Sequence, residues 1–169
     1  MSQNSAIEWT ESTWNPVTGC TKISDGCLNC YAARMTRRLK AMGSANYKNG
    51  FKLTVHQDSL QLPLKWKKPQ LIFVNSMSDL FHRDVPDRFI FDMFKVMQEA
   101  HWHKFQILTK RSERLLCMSN ELPWADNILM GVTVESEKYL YRLEHLKKTG
   151  AKTKFLSLAP CPACSPGLI

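Results

Sequence analysis

The sequence lacks any apolar run approaching the roughly 18 residues that a membrane-spanning helix requires. Its N-terminal segment, residues 1–13, is polar and acidic, and has neither the basic start nor the apolar stretch of a secretory signal. Internal repeats and low-complexity tracts are also absent. These absences argue against a membrane partner and predict a cytoplasmic location, where thiols are kept reduced.

The chain has 169 residues, of which 44% are hydrophobic, and this predicts a single domain over residues 1–169 with a core of its own. Short, mostly apolar runs at residues 71–75, 105–109, 128–134 and 154–158 are typical of strands buried on both faces. Residues 7–19 are a weaker candidate for a first strand. The predicted strands therefore belong to a sheet that is covered on both sides.

Helical periodicity separates these strands. Apolar faces are predicted at Phe89, Ile90, Met93, Phe94 and Met97; at Tyr139, Leu140, Leu143 and Leu146; and at Tyr31, Met35, Leu39 and Met42. A shorter helix should begin at Ser112, and Cys117 lies in an apolar run that suggests core. Alternating strands and helices indicate parallel βαβ units. The predicted fold class is α/β, a partial (βα) barrel of about five βα units, too few for a closed eight-fold barrel.

Polar residues follow the predicted strands at their carboxyl ends, the edge where parallel α/β proteins bind ligands. We take three of them, Asp79, Lys110 and Glu135, as catalytic candidates. Four more are candidates for cofactor binding: Asn75, Ser76, Ser78 and Thr133. The alternative interpretation is that such residues cap helices or form turns, which suits Ser112 and Ser136 better than it suits Asp79 or Lys110.

The net charge of +8 is concentrated in one segment, residues 34–68, which has nine Lys or Arg residues and a single acid, Asp58. Such a segment is either a solvated basic face or an attractive field for a polyanion, most often nucleic acid. The candidate nucleic-acid-binding residues are Arg34, Arg37, Arg38, Lys40, Lys65, Lys67 and Lys68.

Three cysteines, Cys20, Cys27 and Cys30, lie within eleven residues on a polar stretch. In a reducing compartment this spacing indicates a metal site. A 4Fe–4S cluster held by three cysteines keeps one iron open for a substrate or cofactor, whereas electron carriers use four. Zinc is the alternative metal, and a structural zinc needs a fourth ligand. The candidates for that ligand are His56, His82 and the pair Cys161 and Cys164.

The N-terminal motif resembles the phage-associated three-cysteine-motif family of unknown function. It consists of Trp9-Thr10, then Thr13-Trp14-Asn15-Pro16-Val17-Thr18-Gly19-Cys20, then Gly26-Cys27-x2-Cys30-Tyr31-Ala32. Later segments resemble it as well: Asn75-Ser76-Met77-Ser78-Asp79-Leu80-Phe81, Leu108-Thr109-Lys110-Arg111 and Gly131-Val132-Thr133-Val134-Glu135. That family is similar to radical S-adenosylmethionine enzymes. The resemblance implies a phage or prophage protein with a 4Fe–4S cluster on a loop after the first strand, and S-adenosylmethionine as a further cofactor, with Tyr31 beside it. The radical-enzyme spacing Cys-x3-Cys-x2-Cys is lengthened here to Cys-x6-Cys-x2-Cys.

The resemblance ends near Pro160, because Ala159 stands where the family has Glu and residues 161–169 look unlike it. We therefore expect a C-terminally truncated copy with an atypical tail. Three functions remain open: a radical S-adenosylmethionine-type enzyme acting on nucleic acid or a nucleotide, a zinc-stabilised nucleic-acid-binding module without catalysis, or a non-functional remnant. A protein partner is left open.

Overall fold

The computed structural model describes residues 10–158. It contains seven strands: β1 (Ser12–Trp14), β2 (Val17–Thr18), β3 (Thr54–Val55), β4 (Leu71–Val74), β5 (Lys104–Thr109), β6 (Ile128–Val134) and β7 (Thr153–Leu158). It contains five α-helices: α1 (Tyr31–Ala41), α2 (Leu62–Lys65), α3 (Asp87–Glu99), α4 (Ser112–Met118) and α5 (Tyr141–Lys147). Short 3-10 helices lie at Asp25–Cys27, Ala45–Tyr47, Gln57–Ser59 and Glu137–Tyr139.

Five strands form one parallel sheet in the order β1-β4-β5-β6-β7, so each strand pairs with its neighbour in the chain once β2 and β3 are set aside. The register runs from Trp14 opposite Val74 at one side to Val134 opposite Leu158 at the other. β2 and β3 pair antiparallel beside the end of β1. The predicted α/β class and the partial (βα) barrel of about five units are confirmed.

The strands predicted from apolar runs are present, and β4, β5 and β6 bury their apolar side chains in one core. β7 is half-buried or exposed throughout, because it pairs with β6 alone among the described strands, so its predicted burial on both faces is wrong. Ile72, Phe105, Ile107 and Met130 are fully buried, and the α3 face predicted from Phe89 to Met97 packs into the same cluster. Burying such side chains contributes about 1.5–3 kcal/mol each. The sheet therefore holds the carboxyl ends of its strands in fixed relative positions.

Three predicted burial patterns of helices also differ from the structure. In α1 the buried residues are Ala32 and Thr36, while Tyr31 and Met42 are exposed at the two ends of the helix. The helix turns this face to the segment at residues 45–51 and to Met77, which lie at one edge of the sheet.

The other two differences concern α4 and α5. Cys117 is exposed, because α4 buries Ser112, Leu115 and Met118 instead, so its assignment to the core is wrong. Leu140 is exposed as well, because it precedes α5 and points away from the sheet that Leu146 packs against.

Among residues 10–158, no helix is long and apolar enough to cross a bilayer. The candidate ligands Cys161 and Cys164 and the tail at residues 161–169 lie outside the described residues.

Candidate functional site

A cavity of about 450 Å³ opens at the carboxyl ends of the strands. All three motif cysteines line it, together with Tyr31 and Phe51. From the strand ends it is lined by Asn75, Ser76, Ser78, Asp79, Thr109, Lys110, Arg111 and Thr133. The predicted cysteine site and the predicted strand-end residues are thus parts of one pocket, with Glu135 immediately behind the wall that carries Gly26.

The cysteine loop, residues 20–30, begins at a glycine for a steric reason. Gly19 has φ of +82°, and a Cβ there would lie 2.4 Å from the backbone oxygen of Lys52. The Gly19 amide donates to the carbonyl of Met77 at 3.0 Å, and the Cys20 amide donates to the carbonyl of Phe51 at 3.2 Å. These bonds bring the first cysteine to the end of β4.

One fastening of the cysteine loop is at Thr21. Arg111 donates to both the carbonyl and the hydroxyl of Thr21 at 3.0 Å, and the His82 ring lies 2.8 Å from the same hydroxyl. Because the Nδ1 atom of His82 accepts the Asp84 amide hydrogen, its Nε2 atom is the donor to Thr21. The guanidinium of Arg111 also lies 3.9 Å from the sulfur of Cys20.

A second fastening joins the loop to the end of β6. The Ser24 hydroxyl donates to Glu135 at 2.6 Å, and Arg142 donates to the other oxygen of that carboxylate at 2.6 Å. Both members of the Glu135–Arg142 pair have side chains that are only 1% exposed, and Arg142 lies over the ring of Tyr139. Glu135 therefore positions the cysteine loop, and the neighbouring Asp25 is held by Lys138.

Asp79 joins the ends of β4 and β5. Its carboxylate accepts hydrogen bonds from the Thr109 hydroxyl at 2.7 Å and from the amides of Phe81 and Lys110 at 3.0 and 3.1 Å. It also faces Arg111, with 3.9 Å between the charged groups. With its oxygens so occupied, Asp79 orients Arg111 and the β5 end. The Lys110 ammonium, one-quarter exposed, lines the cavity and lies 3.9 Å from the Glu135 carboxylate.

Three buried polar atoms on residues of the cavity wall have no hydrogen-bond partner among the described residues: Asn75 Nδ2, Thr133 Oγ1 and Arg111 Nε. Asn75 is also held at φ of 57°, which few non-glycine residues adopt. Buried polar groups without partners are costly, and they gather at functional sites. This wall is therefore suited to a ligand that carries both hydrogen-bond donors and acceptors.

The thiols differ in their electrostatic surroundings. Burial raises the pKa of Cys20, with the nearby Asp79 carboxylate adding to the effect. Burial also acts to raise the pKa of Cys27, but hydrogen bonding from the backbone at residues 23–24 and the nearby Lys110 charge act against it, and that pKa is lowered. In the described part of the chain, no three His, Cys, Asp or Glu side chains are already arranged around one metal position. The three thiols share the cavity without converging on a point.

The structure divides the basic segment into two. Arg34, Arg37, Arg38 and Lys40 are exposed on α1, whose first residue lines the cavity. Lys65, Lys67 and Lys68 are exposed at the end of α2 and just before β4, and so lie toward the amino edge of the sheet, opposite the cavity. The basic segment predicted as one field is therefore split between the cavity side and the opposite edge of the sheet.

Sequence reasoning missed two residues that hold the site together. Arg111 belongs to the Leu108-Thr109-Lys110-Arg111 segment, and its position just after a strand could have indicated a site residue. Arg142 lies within α5, and nothing in its sequence context indicated burial. The zinc candidates His56 and His82 already bond Thr18 and Thr21.

The sequence matches, over residues 4–162, the family described as "Protein of unknown function (DUF5131)". The chain belongs to this family. No curated protein matches the sequence significantly.

Among solved structures, the chain is similar to a spore photoproduct lyase complexed with dinucleoside spore photoproduct. The TM-score is 0.58 and the sequence identity is 14%, over 95% of this chain and 48% of that chain. The chain thus spans about half the length of the structure it matches. At this identity the likeness shows the fold alone, which agrees with the partial (βα) barrel described above.

Proposed function

We propose that the chain is an iron–sulfur protein of the radical S-adenosylmethionine type, with Cys20, Cys27 and Cys30 holding a 4Fe–4S cluster, and that it acts on a nucleic acid or nucleotide. The observation that carries this proposal is that three cysteines from one loop share a single cavity with the polar strand ends. The fold likeness to a lyase bound to a dinucleoside supports the same substrate class. A phage or prophage origin remains a prediction from the resemblance.

The residues fit such a cluster by their chemistry. Three free thiols are the ligands that iron–sulfur clusters take, and the cavity supplies unpartnered donors and acceptors beside them. When bound, a 4Fe–4S cluster with three protein ligands supplies an electron for the reductive cleavage of S-adenosylmethionine. The protein's own part is to orient the cysteine loop through Arg111 and Glu135, and to offer Lys110, Asn75 and Thr133 to the ligand.

Zinc is less well supported as the metal. A structural zinc would need a fourth ligand. His56 and His82 both have ring nitrogens engaged with threonine hydroxyls, and neither lines the cavity. Colour on anaerobic purification separates the metals, because an iron–sulfur protein is brown and a zinc protein is colourless.

The test is iron and sulfide analysis of protein reconstituted without oxygen. We expect about four irons per chain in the wild type, and loss of most of that iron in Cys27→Ala. Cys117→Ala is the matched control, because that thiol is exposed on α4 and does not line the cavity. Cluster-loaded protein should then convert S-adenosylmethionine to 5′-deoxyadenosine and methionine under reduction. Unchanged iron in Cys27→Ala would refute the ligand assignment.

A further inference from the structure

The exposed face of α1 carries a row of cations with no acid beside them. Arg37 and Arg38 lie three and four residues after Arg34, so the three project from one side of the helix, and Lys40 lies three residues after Arg37. The buried residues Ala32 and Thr36 lie on the opposite face. We call these four cations the α1 stripe.

The α1 stripe continues onto the loop that packs against it. A Cβ on Gly50 would lie 3.9 Å from the Lys40 ammonium, and Ala32 and Tyr47 are buried in one small cluster, so helix and loop form one surface. Lys48 and Lys52 on that loop are exposed as well. The surface reaches the cavity, because Cys30, Tyr31 and Phe51 line its wall.

The charge on this surface is a dense group of cations that adjoins the cavity. Some cations on other elements pair with acids, as in Arg88–Asp92 and Lys147–Glu144, whereas others, such as Lys95, have no ion pair among the described residues. None of the six cations on α1 and its loop forms an ion pair in the described part of the chain. Like charges three or four residues apart destabilise an isolated helix by a few tenths of a kcal/mol. A merely solvated helix face gains from acids interspersed with such cations, and the exposed face of α1 has none.

We propose that the α1 stripe binds the phosphate backbone of a nucleic-acid strand and leads that strand to the cavity mouth. This rests on the proposed function, and it narrows the substrate from a nucleotide to a polymer. Along the helix axis, Arg34 and Lys40 are roughly 9 Å apart. That length matches about three phosphates of one strand at their axial spacing, whereas a mononucleotide has phosphate at one end only. Tyr31, 53% exposed at the mouth, offers a ring on which a base can stack.

Two triple variants of the full chain test the surface, with each removing three positive charges. R34Q/R37Q/R38Q alters the α1 stripe, and K65Q/K67Q/K68Q alters the lysines at the opposite edge. Anisotropy of a fluorescein-labelled single-stranded oligonucleotide is measured over a salt series. We expect the α1 triple to weaken binding about tenfold or more, and to reduce the slope of log K against log salt by about 2. The second triple should stay within about twofold of wild type. Equal losses in both triples, or none in the first, would overturn the proposal.

Further binding measurements identify the kind of ligand. Tyr31→Leu should weaken oligonucleotide binding about fivefold while leaving the salt slope unchanged, because stacking carries no counterion release. Adenosine monophosphate at equal nucleotide concentration should compete poorly, and full competition would overturn the assignment to a polymer. Stripe-dependent binding of phosphatidylserine vesicles without oligonucleotide binding would instead assign the surface to a membrane and overturn the proposal.

Iron analysis of the same preparations keeps this proposal separate from the cluster. We expect R34Q/R37Q/R38Q to retain its iron and lose oligonucleotide affinity. Cys27→Ala should do the reverse. A stripe variant that loses iron would show that these arginines support the fold of the cysteine loop, and would count against a binding role.

Discussion

At the scale of single residues, the site depends on buried charges that the strand-end pattern indicated only in part. Glu135 is the clearest case, because its position after β6 suggested chemistry, yet both of its oxygens are occupied by Ser24 and Arg142. A carboxylate so paired and only 1% exposed is a poor proton carrier and a good anchor. Its role is to fix the cysteine loop against the sheet.

Glu135→Ala should therefore destabilise the whole domain. Removing one member of a buried pair leaves an uncompensated charge on Arg142, which costs about 3–5 kcal/mol. The double variant Glu135→Leu with Arg142→Met should recover much of that loss, since no buried charge is left unpaired. Urea denaturation of the three proteins measures the effect.

Lys147→Ala is the control for this comparison, because it breaks the exposed pair with Glu144, and such pairs contribute about 0–1 kcal/mol. If Glu135→Ala were as stable as Lys147→Ala, the anchoring role would be refuted.

At the scale of elements, the pairing of β6 with β7 depends on a glycine. Gly131 lies opposite Phe155, and a Cβ at Gly131 would come within 2.5 Å of the Phe155 ring. β7 pairs with β6 alone among the described strands, and Leu156 and Leu158 on it are exposed. Phe155 over Gly131 is thus a principal side-chain contact holding this edge strand.

Gly131→Ala should displace the Phe155 ring and loosen β7, at a cost of about 1–3 kcal/mol from overpacking. Hydrogen exchange should show faster exchange of β7 amides, with β4 and β5 little changed. The double variant Gly131→Ala with Phe155→Leu tests the mechanism, because the smaller side chain makes room and should restore part of the loss. Unchanged exchange in β7 would show that the ring moves aside without cost.

The elements that the sequence predicted are those whose signal is local. Apolar runs indicate buried strands, and apolar residues that recur on one face indicate the helix α3. The position of α1 depends on its contact with the segment at residues 45–51. The periodicity of a helix predicts its apolar face but not the segment that this face packs against. β1 has only three residues, and its pairing with β4 rather than its own composition makes it a strand.

At the scale of the whole molecule, folding stability should depend on pH near neutrality. His56, His82 and His103 have lowered pKa values, chiefly because burial disfavours the charged ring. His103 is fully buried, accepts the Gln70 amide hydrogen at 3.1 Å and lies 3.1 Å from the Pro63 carbonyl. Because the unfolded chain takes up these protons first, stability is complete above about pH 6.5 and falls as the pH drops below it.

The loss of stability between about pH 7.5 and 5.5 should be smaller in His103→Gln than in wild type, by about 1 kcal/mol. His101→Gln serves as the control. It makes the same change two residues away, at a histidine that is exposed rather than buried. Urea midpoints at the two pH values provide the comparison. Equal pH dependence in His103→Gln and wild type would mean that the buried ring takes up its proton without a folding penalty.

The site as a whole was predictable where topology alone brings residues together. Parallel strands end at one edge, so Asn75, Lys110 and Thr133 had to meet there, and the cysteines followed because their loop leaves the same edge of β1. The roles within the site were not predictable. Whether a carboxylate binds a ligand or anchors a loop depends on partners far away in the chain, such as Arg142 for Glu135.

The fastening of the cysteine loop also constrains how the protein can be made. Ser24 donates a hydrogen bond to Glu135, 111 positions later in the chain. The loop therefore cannot be held in its final conformation until Glu135 has left the ribosome. At about 5–20 residues per second this takes roughly 6–20 s, during which the first-made thiols are exposed on an unfinished chain. Until synthesis has passed β6, these thiols lack the fixed loop of the finished protein and are open to oxidation.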